Sequence, residues 1–379
     1  MDINDLRKKL DGLDDQIVGL YLKRMEVVSE IAKIKKESDG TINDPNREKE
    51  ILFRLTRNMS DEMKLYVKEL YSAIFTTSKA YQTVLTSKTS ETAEKLKRIR
   101  EDGLENFPVS ATVAVQGVLG ANGYTAANKL FPICDITYIK NFEGVFSAVS
   151  KGLCEYGVLP IENSTAGSVN EVYDLMKKYD FHIVRSVRLK INHCLAGVRG
   201  AVRSEIKSVA SHPQALYQCG EYLKKMNVET VVSENTATAA KNLSSSGDRS
   251  RAIICSEECA KIYGLDILDR GIQDNAANYT RFICIGKKLQ IFSGSNKISV
   301  MTSLKHEPGS LNRMLARFAA LGLDLTKIES RPINASPFEF MFYFDFDGNV
   351  FERRIVSLIA ELENNSDKFG FLGSYQEIV

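Results

Sequence analysis

The sequence predicts a multidomain chain with three textures: an all-α segment, an α/β segment and an α+β tail of ferredoxin-like plan. Three observations predict it. Residues 2 to 86 carry proline only at position 45 and apolar residues at helical spacing. From residue 111, short β-branched runs alternate with helical patterns, the mark of α/β layers around a mostly parallel sheet. After residue 296 the order reads strand, helix, strand, strand, helix, strand. The boundaries expected are a helical domain over 1–86, a polar linker over 87–108 that could be helical, an α/β domain over 109–288 and the tail over 296–379.

Bulk properties narrow the function. A chain of 379 residues is too long for one ordinary core. Net charge is +2 with basic residues dispersed, so nothing marks a nucleic-acid or anionic-membrane partner. No apolar run approaches a bilayer span. The start, MDINDLRKKLDGLDD, is too charged to read as a signal peptide. Seven cysteines form no CxxC pair, which fits reduced thiols and a cytoplasmic chain. Cys255 and Cys259 are read as core residues rather than metal ligands, because no nearby His or second pair completes a site. No cofactor is expected.

In the first helix, Ile3, Leu6, Leu10, Leu13, Ile17, Leu20, Val27, Ile31 and Ile34 keep heptad spacing, and Arg24 interrupts it. Lys35, eleven residues on, returns to within roughly 20° of the same direction. A helix over 3–37 would be about 50 Å long, so its stripe needs a partner chain or several helices to cover it. Asp44-Pro45 reads as an N-cap followed by the first helical position. Glu48 lies on the apolar face of Ile51, Leu52 and Leu55, with Arg47 at its border. In a third helix, Val67, Leu70, Ile74, Tyr81 and Leu85 point inward, and Ser78 and Gln82 interrupt that face. Singly, each polar residue has a plain reading: a lone Arg can set register or snorkel. Together they place cations, a carboxylate, a hydroxyl and an amide on inward faces, which a polyanionic ligand would satisfy.

The stretches LRKKLDGLDDQ, KRMEVVSEIAKIK, DPNREKEIL and SKAYQ resemble the helical chorismate mutases. The resemblance implies that Arg24 holds one substrate carboxylate and that Arg7 reaches across a dimer to hold another. It implies that Lys35 and Gln82 meet the ether oxygen, that Glu48 and Asp44 meet the ring hydroxyl, and that Arg47 and Ser78 complete the pocket. A Claisen rearrangement needs no nucleophile or base. It needs a compact substrate conformer and positive charge at the ether oxygen.

The α/β segment offers three polar turns at strand ends. GVLPIENSTAGSVNEVYDLM places Asn163, Ser164 and Thr165 after a buried strand, where helix N-terminal amides are expected to complete an anion seat. SHPQALYQC repeats the plan with Ser211, His212, Pro213 and Gln214. NYTRFICIG puts Thr280 and Arg281 at the entry to an apolar strand. Ser164 and Ser211 could equally be plain helix caps, and Thr280 suits a strand by propensity. Gly117, Gly120 and Gly123 mimic a dinucleotide fingerprint, but no acidic residue follows at the right distance.

PIENS followed by GSVNE, SHPQAL and the TRF triplet resemble prephenate dehydratases. That resemblance implies two α/β lobes like a type II periplasmic binding protein, an essential Thr280, and a site formed by Arg281 with the loops at 163–165 and 211–214. The first loop departs from the family's usual pattern: Leu119 stands where an acidic residue is common, and Asn122 and Gly123 replace an aromatic residue and a serine. In the tail, LKHEPGSLNRMLARF and KIESRPI resemble the ACT regulatory domain. By that likeness Glu329, Ser330, Arg331 and Pro332 sense phenylalanine together with the turn Gly309, Ser310, Leu311 and Asn312. Ser310 and Asn312 are polar where the family carries Ala and Val.

In one order, the three resemblances are those of the bifunctional chorismate mutase–prephenate dehydratase family. The expectations are conversion of chorismate to prephenate and then to phenylpyruvate, with L-phenylalanine as effector, in a homodimer or higher homo-oligomer. A two-lobed solute-binding or sensor protein is the rival reading. It leaves the mutase positions unexplained, as a coiled-coil reading leaves Lys35, Glu48, Ser78 and Gln82.

Overall fold

The computed structural model describes residues 2–38, 44–86, 90–304, 309–333 and 339–379. The start of the expected linker at 87–89, residues 305–308 of LKHEPGSLNRMLARF and the first residue of FEFMFYFDF lie outside them. The chain divides into two compact units. One is Met1–Asp102 with Ser299–Phe371; the other is Gly103–Ile298 with Leu372–Val379.

The first unit opens with α1 (Ile3–Glu37), α2 (Pro45–Thr56), α3 (Asp61–Thr86) and α4 (Glu91–Asp102). Asp44 caps α2 as its spacing predicts, Oδ1 accepting from the Arg47 amide at 3.0 Å, with Pro45 at the first helical position. The heptad stripe of α1 does not face its own chain. Ile3, Leu6, Leu10, Leu13, Ile17, Leu20, Val27, Ile31 and Ile34 are 40–67% exposed. The face turned to α3 is Tyr21, Arg24, Met25, Val28 and Ala32, with Val28 and Ala32 buried. Along α3 the inward list also needs correction. Leu70 and Tyr81 are exposed, and Phe75 is the buried aromatic. The period was right; the choice between two apolar stripes needed to know which one has a neighbour in the chain.

The second unit is built from β1 (Ser110–Gln116), α5 (Asn122–Leu130), β2 (Ile133–Ile139), α6 (Phe142–Ser150), β3 (Tyr156–Asn163), β4 (Gly167–Ser168), α7 (Asn170–Tyr179) and β5 (His182–Lys190). A second lobe follows: β6 (Cys194–Gly197), β7 (Ser208–Ser211), α8 (Pro213–Gln218), α9 (Gly220–Met226), β8 (Glu229–Val232), α10 (Thr236–Ser246), β9 (Arg251–Cys255), α11 (Glu257–Ile262) and β10 (Asp266–Arg270). The chain then returns to the first lobe as β11 (Tyr279–Gly286). The tail adds β12 (Lys297–Leu304), α12 (Ser310–Ala320), β13 (Leu325–Pro332), β14 (Phe340–Asp347), α13 (Arg353–Asn365), β15 (Phe369–Tyr375) and β16 (Glu377–Ile378).

The lobes hold separate sheets, β16-β5-β11-β3-β1-β2 with β4 beside β3, and β10-β6-β9-β7-β8. Neither is mostly parallel, contrary to expectation. β11 runs antiparallel to both β3 and β5, and β6 antiparallel to β9 and β10. The chain crosses between lobes twice, and each return strand enters beside its neighbours in reverse. Val113, Val115, Val158, Val187 and Phe282 pack with Ala126, Ala127 and Phe131 in the first lobe. Cys255 and Cys259 are fully buried in the second, and their mutual hydrogen bond and burial push the Cys255 thiol up, so it stays protonated.

The tail sheet has the order β13-β14-β12-β15, with Phe318 of α12 against Phe344 and Phe346 at 5.3 and 5.2 Å. Two boundaries move. The expected linker carries α4, whose Leu96 is 1% exposed and whose Thr92 amide donates to Glu363 of α13 at 3.1 Å. And the tail does not end as one body, because Leu372–Val379 belongs to the unit of the two lobes.

Candidate active sites

The first candidate lies between α1, α2 and α3. Arg24 Nη1 donates to Ser78 Oγ, which donates to the Ile74 carbonyl at 2.6 Å. One turn along α3, Gln82 is buried and its Oε1 has no hydrogen-bond partner. Glu48 is half-buried and meets Lys79 at 2.8 Å, a cation the sequence reading passed over. Lys35 is half-buried on the Arg24 face of α1. So Arg24, Lys35, Ser78, Gln82 and Glu48 line inner faces, as their spacing predicts. Arg47 and Asp44 do not join them. Both are exposed, and Arg47 is ion-paired to Glu50 at 2.8 Å, which raises its pKa. Arg7 is exposed seventeen residues before Arg24, about 25 Å along one helix, beyond any side chain's reach.

The second candidate is a chain of side chains across the two lobes. Asn163 Nδ2 donates to Thr280 Oγ1 and to Asn278 Oδ1, each at 2.9 Å. Asn163 Oδ1 accepts from the amides of Thr165 and Ala166 at 3.0 and 2.8 Å, which fixes the amide's orientation. Asn278 Nδ2 donates to Gln218 Oε1 at 3.0 Å, and Gln218 Oε1 also accepts from His193 Nε2 at 3.0 Å. His193 is buried, and burial holds its pKa below the ordinary value, so it is neutral with the proton on Nε2. Because Thr280 Oγ1 already accepts from Asn163, its O–H is free to donate, and that donation is strengthened by the bond it receives.

Cavities flank this chain. One of about 340 Å³ is lined by Asn122, Thr125, His193, Thr236, Ser256 and Glu257, with Lys190 and Arg270 at its edge. Another of about 560 Å³ is lined by Thr165, Gln218, Lys224, Gln273 and Asn278. The unusual first loop bridges the lobes, and its Asn122 also lines the first of these cavities. Val118 and Ala121 pack into the core of the second lobe, Tyr263 Oη donates to the Leu119 carbonyl at 2.9 Å, and Thr125 donates to Glu258 at 2.6 Å. Gly120 (φ 81°) lies against Cys259, where an added Cβ would come within 3.4 Å of its sulfur.

Comparison with known proteins agrees with this division. The chorismate mutase type II family model matches residues 6–83, and the prephenate dehydratase family model matches residues 113–290. A bifunctional chorismate mutase/prephenate dehydratase of Aquifex aeolicus (strain VF5) is 30% identical over 376 residues, 99% of this chain and 98% of that relative. The chain belongs to the bifunctional chorismate mutase/prephenate dehydratase family. Arogenate dehydratase/prephenate dehydratase 1 of Arabidopsis thaliana is 39% identical over 279 residues, 69% of this chain and 71% of its own length. Among solved structures, a prephenate dehydratase from Arthrobacter aurescens in complex with L-Phe is 28% identical with a TM-score of 0.64, covering 70% of this chain and 89% of that one. The Staphylococcus aureus subsp. aureus Mu50 prephenate dehydratase is 26% identical with a TM-score of 0.62, covering 70% and 99%.

The bifunctional enzyme therefore carries out both steps, chorismate to prephenate and prephenate to phenylpyruvate, in phenylalanine biosynthesis. Several dehydratase expectations need correction on geometry. Arg281 is not in the cleft: adjacent residues of a strand face opposite sides, and Arg281 pairs with Glu377 at 2.9 Å on the far side from Thr280. Ser164 and Thr165 do not sit at a helix N-terminus, because β4 intervenes before α7; the Ser164 hydroxyl instead donates to the Ala277 carbonyl at 3.0 Å and accepts from the Tyr279 amide at 2.9 Å. Ser211 does not cap α8. It donates to the Ile254 carbonyl at 2.7 Å, and His212 is the cap, Nδ1 accepting from the Gln214 amide. Gln218, one turn after Gln214, carries the network. Gln218, Asn278 and His193 were missed; a Gln at the end of SHPQALYQC and an Asn two residues before Thr280 were the available signals.

In the tail, Gly309 opens α12 with φ 82°, and Ser310 Oγ accepts from Arg313 at 2.9 Å. Leu311 and Asn312 are exposed in its first turn. Glu329, Ser330, Arg331 and Pro332 lie on the edge strand β13, Glu329 and Arg331 half-buried and Ser330 and Pro332 exposed. No described helix is long and apolar enough to cross a membrane.

Proposed function

We propose that Thr280 is the proton-donating hydroxyl of the dehydratase step and that Asn163, Asn278, Gln218 and His193 hold it in place. Prephenate loses CO2 and its ring hydroxyl together, so a donor must meet the departing oxygen while fixed charges hold the carboxylates. The observation that carries this is the Asn163–Thr280 bond, in which the threonine oxygen accepts, leaving its O–H to donate and polarising it. Of the cavity-lining cations, Lys190 is offered to the substrate's carboxylates, while Arg270 and Lys224 are paired with Glu257 at 3.1 Å and Glu221 at 2.9 Å and would have to exchange those partners. Thr280→Ala fed with chorismate is expected to accumulate prephenate and to form phenylpyruvate at least about 100-fold more slowly. Phenylpyruvate at the wild-type rate would remove Thr280 from the mechanism.

For the mutase, Arg24, Lys35, Gln82 and Glu48 are the substrate-contacting set, with Gln82 Oε1 left for a ligand or a partner. Arg7 of a second chain completes the site, so the working enzyme is a homodimer or a larger homo-oligomer. The exposed stripe of α1 supports this, since nine large apolar side chains on one helix call for a covering surface. The βαββαβ tail is an ACT regulatory domain that binds L-phenylalanine through the Gly309 turn and the β13 edge and inhibits the dehydratase. The Arthrobacter aurescens relative was solved with L-Phe, and two polar segments, one half-buried to exposed on an edge strand and one at a helix start, suit a site shared by two chains. The enzyme works in the cytoplasm, where reduced thiols such as the seven here persist.

A further inference from the structure

Arg281 meets Glu162 of β3 at 3.9 Å, and its shorter contacts reach the last residues of the chain. Arg281 Nε lies 2.9 Å from Glu377 Oε2, and its Nη2 donates to Tyr375 Oη at 2.5 Å. Both members of the ion pair are under 10% exposed. The same carboxylate meets Arg188 at 2.8 Å, while Gln376 accepts from Arg185 at 2.7 Å. The segment is built in rather than laid on. Ser374 and Tyr375 are fully buried, β16 pairs in parallel with β5, and an added Cβ at Gly373 (φ 147°) would stand 2.2 Å from the Ile183 carbonyl.

We propose that Glu377 is a positioning residue for the dehydratase step, holding Arg281 and thereby Thr280, one peptide bond away on the opposite face of β11. The place is sensitive. The register of β11 against β3 slips between Arg281 and Phe282, and a bulge lets neighbouring side chains re-aim unless something pins the strand. A buried carboxylate that compensates two arginines is such a pin, because releasing it takes a carboxylate at 2.9 Å from a buried cation that also meets Glu162 at 3.9 Å. The geometry also supplies a route for control. β15 begins at Phe369 in the tail sheet and runs on, with one residue between, into β16 in the sheet of Thr280. A displacement of β15 would carry Tyr375, its last residue, and pass along the chain to Glu377 two residues on. This coupling half rests on the reading that the tail senses phenylalanine.

The test uses the full chain and the variants Glu377→Gln, Glu377→Asp and Tyr375→Phe. For each, kcat and KM for prephenate, chorismate turnover, heat of phenylalanine binding and phenylalanine inhibition are measured. Glu377→Gln is expected to lower prephenate kcat at least about tenfold, with KM and chorismate turnover near wild type. Glu377→Asp, which keeps the charge, recovers most of it. Tyr375→Phe, which loses one O–H and keeps the ring, lowers kcat about threefold and decides the matter should Glu377→Gln fail to fold. In Glu377→Gln, phenylalanine still binds but inhibits less. Wild-type kcat in both Glu377→Gln and Tyr375→Phe overturns the positioning role. Lower kcat with unaltered inhibition overturns the coupling alone. A wild-type enzyme that binds no phenylalanine sinks the sensing reading, and the kcat comparison still judges Glu377.

Discussion

The mutase helices and the dehydratase lobes solve the same problem, a charged substrate in a protein interior, in opposite ways. In the lobes every polar side chain from Asn163 to His193 has its partner within one chain, and the cavities beside them are formed by the same unit. In the helices, Gln82 Oε1 is buried without a partner, Arg7 stands about 25 Å along the helix from Arg24, and the heptad stripe of α1 is bare. A site built from a long helix shares its walls with whatever covers that helix. A site built where strands end in a two-lobed fold is closed by its own chain.

Arg24→Ala should give the largest effect that separates the two. Arg24 is half-buried against Ser78 and, on the reading above, pairs with a substrate carboxylate; truncating one member of such a buried charged pair costs on the order of 3–5 kcal/mol. A fall of at least about 100-fold in mutase kcat/KM is expected, with prephenate turnover unchanged. A parallel loss of dehydratase activity would mean that the helices and lobes are not independent sites.

A smaller effect sharpens the dehydratase side. His193 is neutral in the folded protein because burial lowers its pKa, whereas in the unfolded chain it titrates near 6.5. The unfolded state therefore takes up a proton that the folded state resists, and stability falls as pH drops below about 6.5. Chemical denaturation at pH 7.5 and 5.5 should show this loss, and His193→Gln should reduce the part of it that His193 contributes. An unchanged pH dependence in His193→Gln would show that the ring does not titrate with folding.

Much of this was legible in the sequence because the signals were periodic or local. The helices of residues 2–86 follow from apolar spacing and the Asp44-Pro45 cap, and the buried strands β1, β3, β5, β9 and β11 from their β-branched runs. β2, β4, β6 and β10 were missed: β2 is a half-exposed edge strand whose ICDITYI carries little alternation, and β4 is only two residues long. At the sites, Arg24, Ser78 and Gln82 could be named because a polar residue broke an apolar pattern, and Thr280 through the likeness of its TRF triplet to the prephenate dehydratases. Gln218, Asn278 and His193 broke none; only the return of the chain through β11 brings them together. Arg281 misled for a related reason. Strand alternation turns it to the face opposite Thr280, and the partner that waits there lies 96 residues on, at Glu377.

The contrast between a shared site and a self-contained one is tested most directly by mixing inactive chains. Arg7→Ala and Arg24→Ala, exchanged to equilibrium, should regain mutase activity toward roughly a quarter of wild type, since half the dimers are mixed and each mixed dimer has one intact site of two. Thr280→Ala mixed with Gln218→Ala under the same conditions should regain no dehydratase activity. Mutase that stays dead after verified exchange, or dehydratase that recovers, would contradict the assignment of one site to two chains and the other to one.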